Sequence, residues 1–193
     1  MQSVPSSESL SFYSDPSYCL GTWASSVDFG TADTGLSGGS IEWDFYGGFA
    51  KDINDDMSFD VGYIYYYYPS DNWTVDLDYQ EFYGSFSFYG ATVGLVYSDD
   101  YFQSTNDFWC FYGDYGLPLG ETFTFDVHLG YNDLNDAFGT NGSYLDWSIG
   151  VSASAVGLDF SLAYVNTDLS ETDCFGGTKL CKATGVFTIS KSL

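Results

Sequence analysis

Seven carboxylates recur at alternate positions within short apolar segments: Glu42, Asp44, Asp60, Glu81, Asp126, Asp146 and Asp159. Asp44 stands between Trp43 and Phe45, Asp126 between Phe125 and Val127, and Asp146 between Leu145 and Trp147. In an extended chain successive side chains point to opposite faces, so these acids lie on the face opposite their aromatic neighbours. Tyr46, Tyr66, Tyr79, Tyr83 and Tyr144 fall on the same polar faces. Two unit charges about 4 Å apart interact by roughly 4 kcal/mol at an effective dielectric of 20. Carboxylates gathered without basic partners must repel one another, take up protons or hold cations. Rings of Asp and Glu favour cations, and that is the chemistry this pattern offers.

Other arrangements offer less. His128 is the sole histidine, and Asp126 lies two residues away on its face. That pair suggests acid–base chemistry. A triad also needs an activated nucleophile, for which the chain has no signature, so catalysis is not expected. His128 reads instead as a histidine bonded to a neighbouring carboxylate or tyrosine. Cys174 and Cys181 close an eight-residue stretch and read as a disulfide in an exported chain. No further Cys or His lies near enough to complete a zinc site. Cys19 and Cys110 fall in separate segments and read as free thiols. The runs Asp52-Ile53-Asn54-Asp55-Asp56 and Asp71 with Asp76 and Asp78 offer oxygen ligands for Ca²⁺. Both lack the glycine and distal glutamate of a calcium loop, so solvated turn carboxylates are the default and no cofactor is expected. Asn72-Trp73-Thr74 and Asn141-Gly142-Ser143 fit a glycosylation pattern without further support.

The charge balance narrows the partners. Against 27 acidic residues stand four lysines and no arginine, a net charge of −23. Nucleic acid is excluded as a partner, because phosphate binding needs a basic surface. No stretch reaches the roughly 18 apolar residues of a membrane-spanning helix. Met1 to Leu10 has neither the basic region nor the apolar run of a signal peptide, so an exported chain would be numbered from a mature or truncated form.

Aromatic residues make up 21% of the chain, and 22 glycines accompany them, which favours strands and tight turns over helices. The alternation predicts eleven strands, at 8–13, 18–29, 40–50, 57–68, 78–88, 91–99, 107–115, 122–131, 143–152, 157–166 and 183–193. Apolar faces are clearest at Ile41, Trp43, Phe45 and Phe49, at Val61, Tyr63 and Tyr65, and at Leu145, Trp147, Ile149 and Val151. The second strand is ambiguous, with Trp23, Val27 and Phe29 on one face and Tyr18 and Leu20 on the other. Short connections near Asp15-Pro16, Ile53 to Asp56, Tyr89-Gly90, Leu117 to Gly120 and Ala155 to Gly157 alternate with long acidic ones near 30–39, 69–77, 99–106, 132–142 and 167–182. Such asymmetry is that of outer-membrane barrels, with tight periplasmic turns and long extracellular loops. It sends the last strand inward and sets the start of the first on the extracellular side. Single-chain bacterial barrels have an even strand count. The expectation is therefore one antiparallel up-and-down transmembrane β-barrel domain over 1–193, with eleven strands here and twelve in the complete protein.

A soluble ligand-binding barrel keeps its apolar face inside. Its outer face would then mix acids with Lys and Arg, whereas the strands here carry almost no basic residue. The membrane orientation puts the polar face in the lumen. The candidate lumen and selectivity residues are then Glu42, Asp44, Asp60, Glu81, Asp126, His128, Asp146, Asp159, Tyr66, Tyr83 and Tyr144. Either these line an open pore or they fill it.

The segments Leu20 to Phe29, Asp60 to Pro69, Tyr97 to Phe102 and Val186 to Leu193 are similar to those of the TorF-like porins. That family comprises small proteobacterial outer-membrane β-barrels, and the likeness runs over nearly the whole chain. It implies a bacterial outer-membrane location, a barrel embedded in lipid and one strand ahead of the region matching residues 2–13. Leu193 departs from the pattern, which leads one to expect Phe. The function expected is a channel for small cations or small polar solutes. The alternative is a non-conducting structural or interaction protein, whose acidic loops bind a partner, divalent cations such as Ca²⁺ or neighbouring copies.

Overall fold

The computed structural model describes residues 8–15, 17–27, 41–69, 76–135, 142–174, 177, 179 and 181–191. Asp71, Asn72 and Asn141, singled out above, lie outside the described residues. Eleven strands follow one another: β1 (Glu8–Asp15), β2 (Tyr18–Ser26), β3 (Ile41–Asn54), β4 (Met57–Tyr67), β5 (Tyr79–Phe88), β6 (Ala91–Ser98), β7 (Phe108–Leu119), β8 (Phe123–Asp133), β9 (Ser143–Ala155), β10 (Leu158–Thr167) and β11 (Thr184–Ser190). Each pairs antiparallel with the next, giving one up-and-down sheet in sequence order. Among the described residues β1 and β11 each pair on one side only, so the sheet is open rather than closed into a barrel. With eleven strands in up-and-down order, β1 and β11 run the same way, so a ladder between them would be parallel. The twelfth strand expected ahead of residue 1 lies outside the described residues.

The tight connections follow from local chemistry. Tyr89-Gly90 and Val156-Gly157 are two-residue turns with positive φ throughout (47° and 81°, 51° and 75°). Such mirror-image turns match the twist of the strands they join. At the β3–β4 turn Asn54 Oδ1 accepts the Asp56 N–H at 2.9 Å. Three strands outrun their predicted ends by three or four residues. β7 was expected to stop at residue 115, yet it continues to Leu119 with Pro118 opposite Thr124. Proline and glycine read as a break in the sequence, but a proline is tolerated at a strand end beside a turn. β3 and β9 likewise run on to Asn54 and Ala155 through polar or small residues that carry little hydrophobic signal.

The apolar face is the exposed one. Phe82, Leu129 and Leu162 are 50%, 54% and 60% exposed, whereas Asp44 and Asn132 on the opposite face are 7% and 5% exposed. The alternative of a soluble barrel with an apolar interior is therefore not the arrangement adopted. In β2 the ambiguity resolves with Tyr18 and Leu20 outward. Trp23 then lies on the polar face, in register with Asp44.

Side chains reaching across strands make the polar face concave. Tyr83 of β5 is in register with Gly62 of β4 and lies over it. Its hydroxyl carries on to Gly48 of β3, where an added Cβ would come within 2.7 Å of it and Cys19 Sγ of β2 borders the same spot. Only glycine leaves room for a ring laid flat on the wall. Tyr46 over Gly21 and Tyr112 over Gly94 repeat the arrangement between other neighbouring strands.

Val156 is a β-branched residue held at φ 51° and almost wholly exposed, a conformation that costs an L-residue roughly 1–2 kcal/mol. Val156→Asn, which tolerates this region and completes an Asn-Gly turn, is expected to raise folding stability by about 1 kcal/mol. Equilibrium urea unfolding in detergent micelles checks it, and an unchanged midpoint would reject the turn geometry.

Candidate functional site

The concave face carries two groups of side chains, one acidic and capped by aromatics, the other centred on a histidine. The first lies on β3–β5. Glu42 and Asp44 project from β3, and Glu81 from β5. Asp44 sits in register between Trp23 and Tyr66. The Tyr66 hydroxyl donates to Glu81 Oε2 at 2.9 Å, and the Tyr68 hydroxyl donates to Glu42 Oε2 at 2.5 Å. Burial, and then the Glu42 carboxylate, push the Tyr68 phenol above its usual range, so it remains a donor. Asp44 Oδ1 is buried and has no hydrogen-bond partner among the described residues.

An aromatic cluster roofs this group at the long-loop end. Tyr66 stacks on Tyr79 with centroids 4.3 Å apart, and Tyr79 meets Tyr101 edge-on at 4.9 Å. Tyr101 in turn stacks on Phe108 at 4.4 Å. Phe108 and Leu134 form a buried pair against which Val96, Tyr101, Cys110 and Tyr144 pack. Phe102 touches both Tyr68 and Tyr79. Loop 99–107 thus turns inward over the concave face, where Tyr101 and Phe102 pack on these rings.

The second group lies on β7–β9. His128 Nδ1 is 2.7 Å from Asp114 Oδ1, and Nε2 is 2.9 Å from Asp146 Oδ2. Asn132 Nδ2 donates to Asp146 Oδ1 at 2.6 Å. Asp126, expected beside His128 from their spacing, is not its partner. Cross-strand neighbours stand closer than residues two apart on one strand, and Asp114 lies directly opposite His128 in register. With a carboxylate on each ring nitrogen, the imidazole has no free lone pair turned toward a nucleophile.

The remaining predicted residues lie on the same face but apart. Asp60 lies toward the short-turn end, with one buried oxygen unpartnered and Tyr83 bonded to its carboxyl. Asp159 is exposed and accepts from Ser154 Oγ at 2.5 Å. Tyr66 and Tyr144 join the aromatic roof, whereas Tyr83 lies below it on Gly62. The sequence reading missed Asp114, Tyr101 and Phe108. Aromatics on both faces of β7 (Phe108, Trp109, Phe111, Tyr112) blurred its alternation, although the even spacing of Cys110, Tyr112 and Asp114 was there to be read.

Cys174 and Cys181 form the expected disulfide, with Cα atoms 5.9 Å apart, while Cys19 and Cys110 are free thiols. The acidic turn carboxylates are used locally. Asp76 Oδ1 accepts the Asp78 N–H at 3.0 Å, and Asp78 accepts the Tyr68 N–H and the Tyr65 hydroxyl at 2.8 and 3.0 Å. Among the described residues no three acidic, histidine or cysteine side chains converge on a metal position.

The chain belongs to a bacterial family of proteins of unknown function (Gcw_chp), whose sequence profile matches residues 9–193. No curated protein matches it. Among solved structures it is similar to variants of the Rhodopseudomonas blastica porin, one of them at 20% identity over 95% of this chain and 53% of the porin, with a TM-score of 0.45. A further porin structure aligns at 14% identity over 86% of this chain and 57% of that one, also with a TM-score of 0.45. The chain thus spans about half the length of the porins it matches.

Deleting the imidazole leaves Asp114 and Asp146 facing each other. His128→Ala is expected to cost about 1–3 kcal/mol of stability, the range for stranding partly buried polar groups. Adding Asp146→Asn should restore part of it by removing one charge. Thermal unfolding followed by the gel-mobility shift of the folded form measures both, and a double variant no more stable than the single one would contradict the assigned pairing.

Proposed function

We propose that this protein is an outer-membrane β-barrel whose acidic, tyrosine-lined concave face passes small cations or small polar solutes. One observation carries the reading: the sheet turns its apolar side chains outward and its carboxylates inward. A face bearing Phe45, Phe82, Leu129 and Ile149 is suited to hydrocarbon. At about 3.3 Å per residue, the eleven residues of β4 tilted by about 45° span roughly 25 Å, the height of a barrel's apolar band. The finer likeness of several segments to TorF-like porins agrees with this location. Inside, His128 is the single histidine facing Glu42, Asp44, Asp60, Glu81, Asp114, Asp126 and Asp146, so the lumen field attracts cations.

The aromatic roof favours a second reading, a non-conducting structural or interaction protein with acidic loops. Tyr66, Tyr79, Tyr101, Phe102 and Phe108 occupy space that a wide pore would need.

Planar-bilayer recording distinguishes the two. The channel reading expects small, cation-preferring currents in KCl, with a larger conductance in Tyr101→Ala as the roof is thinned. A silent wild type that stays silent in Tyr101→Ala rejects it in favour of the second reading, and a preference for anions rejects the role given to the carboxylates.

A further inference from the structure

We propose that Asp44, with Glu42 and Glu81, forms a binding site for one partly hydrated divalent cation beneath the aromatic roof. This deepens the channel reading by naming where a cation would dwell, and for its transport meaning it rests on that reading.

The inner face holds two acidic groups of opposite design. On β7–β9 the carboxylates of Asp114 and Asp146 flank an imidazole, and Asn132 bonds a remaining oxygen. On β3–β5 the carboxylates of Glu42 and Glu81 lie within electrostatic range of Asp44, and among the described residues no Lys, Arg or His pairs with any of the three. Two of these are held by phenol hydroxyls, Glu42 by Tyr68 and Glu81 by Tyr66. The third, Asp44, is 93% buried by the complement of its 7% exposure, and its Oδ1 faces no donor. Glu42 and Glu81 act on it electrostatically, and the Tyr66 and Tyr68 hydroxyls lie within its electrostatic range. Ser25, in register with Glu42, is buried on the same face.

A buried polar oxygen without a partner is costly, and more so when it carries charge among like charges. The wall around Asp44 supplies hydroxyls already committed to other carboxylates, and Thr22 Oγ1 donates to the Asp44 backbone carbonyl rather than to its carboxylate. What is lacking is positive charge, and the ligand atoms that the three carboxylates offer are oxygens. Hard divalent cations take oxygen ligands of this kind. Three carboxylates favour a double over a single positive charge. Since no three such groups converge closely enough for a full cage among the described residues, the ion keeps part of its water. The roof of Tyr79 and Tyr101 limits exchange with bulk solvent and thereby strengthens the attraction.

Isothermal titration of the folded protein in micelles with CaCl₂ tests the site. One saturable site is expected, weakened at least tenfold in Asp44→Asn and in Glu81→Gln, and unaltered in Asp159→Asn, whose carboxylate lies apart and exposed. Far-ultraviolet circular dichroism and the gel-mobility shift confirm that each variant folds, and Glu81→Gln serves if Asp44→Asn does not. Absence of saturable Ca²⁺ binding, or wild-type affinity in Asp44→Asn, overturns the proposal. The latter result would mean that Asp44 is a neutral carboxylic acid. Bilayer currents from the same preparation separate the two readings. Cation-selective conductance without a Ca²⁺ site removes only the site. A Ca²⁺ site in a protein that carries no current removes the channel and leaves the site standing.

Discussion

Everything in this fold depends on the two-residue period of the extended chain. A strand that turns Phe45 and Trp43 to one side must turn Asp44 and Tyr46 to the other, and antiparallel register carries that choice from strand to strand. A slip by a single residue would exchange the faces of a whole strand. The sheet has no second layer to cover it, so the apolar face stays exposed and the polar face is covered instead by its own curvature. Neighbouring strands supply the ladder partners along most of each inner strand, while β1 and β11 each pair on one side only among the described residues.

Curvature toward the polar face is written in small residues. Where Tyr83, Tyr46 and Tyr112 lean onto the preceding strand they meet Gly62, Gly21 and Gly94 in register. Each tyrosine keeps its hydroxyl near the polar interior while its ring replaces the side chain that glycine lacks. This packing fills part of the inner wall with tyrosine rings laid over glycines. The composition, rich in tyrosine and glycine and poor in lysine, follows from that way of building a wall.

Strand number, order and face were legible in the sequence because the period-2 signal is strong wherever one face is uniformly aromatic, as in β4 and β9. Strand ends were less so. Pro118 and the small residues of β9 read as breaks, while the ladder tolerates both. The inner-face positions of Glu42, Asp44, Glu81 and Asp146 followed from parity alone. Their partners did not, since hydrogen bonds cross between strands and depend on register. Asp126 was the neighbour of His128 along the chain, but Asp114 and Asp146 are its neighbours in space. The aromatic roof was the least legible element. Tyr101 and Phe102 belong to a loop with no periodicity, and nothing local says that they fold inward.

The roof and the carboxylates are best understood together. An acidic lumen open to water at both ends would be screened within about 8 Å at physiological ionic strength and would exert little selectivity. In the proposed channel, aromatic rings over Asp44 and Glu81 would exclude that screening water and make the same charges act more strongly at one depth. The same rings would narrow the path, so that stronger attraction would come with less room to pass. On β7–β9 His128 bridges Asp114 and Asp146, whereas on β3–β5 Glu42 and Glu81 are held by phenol hydroxyls. The concave face is therefore uneven from one group of strands to the other.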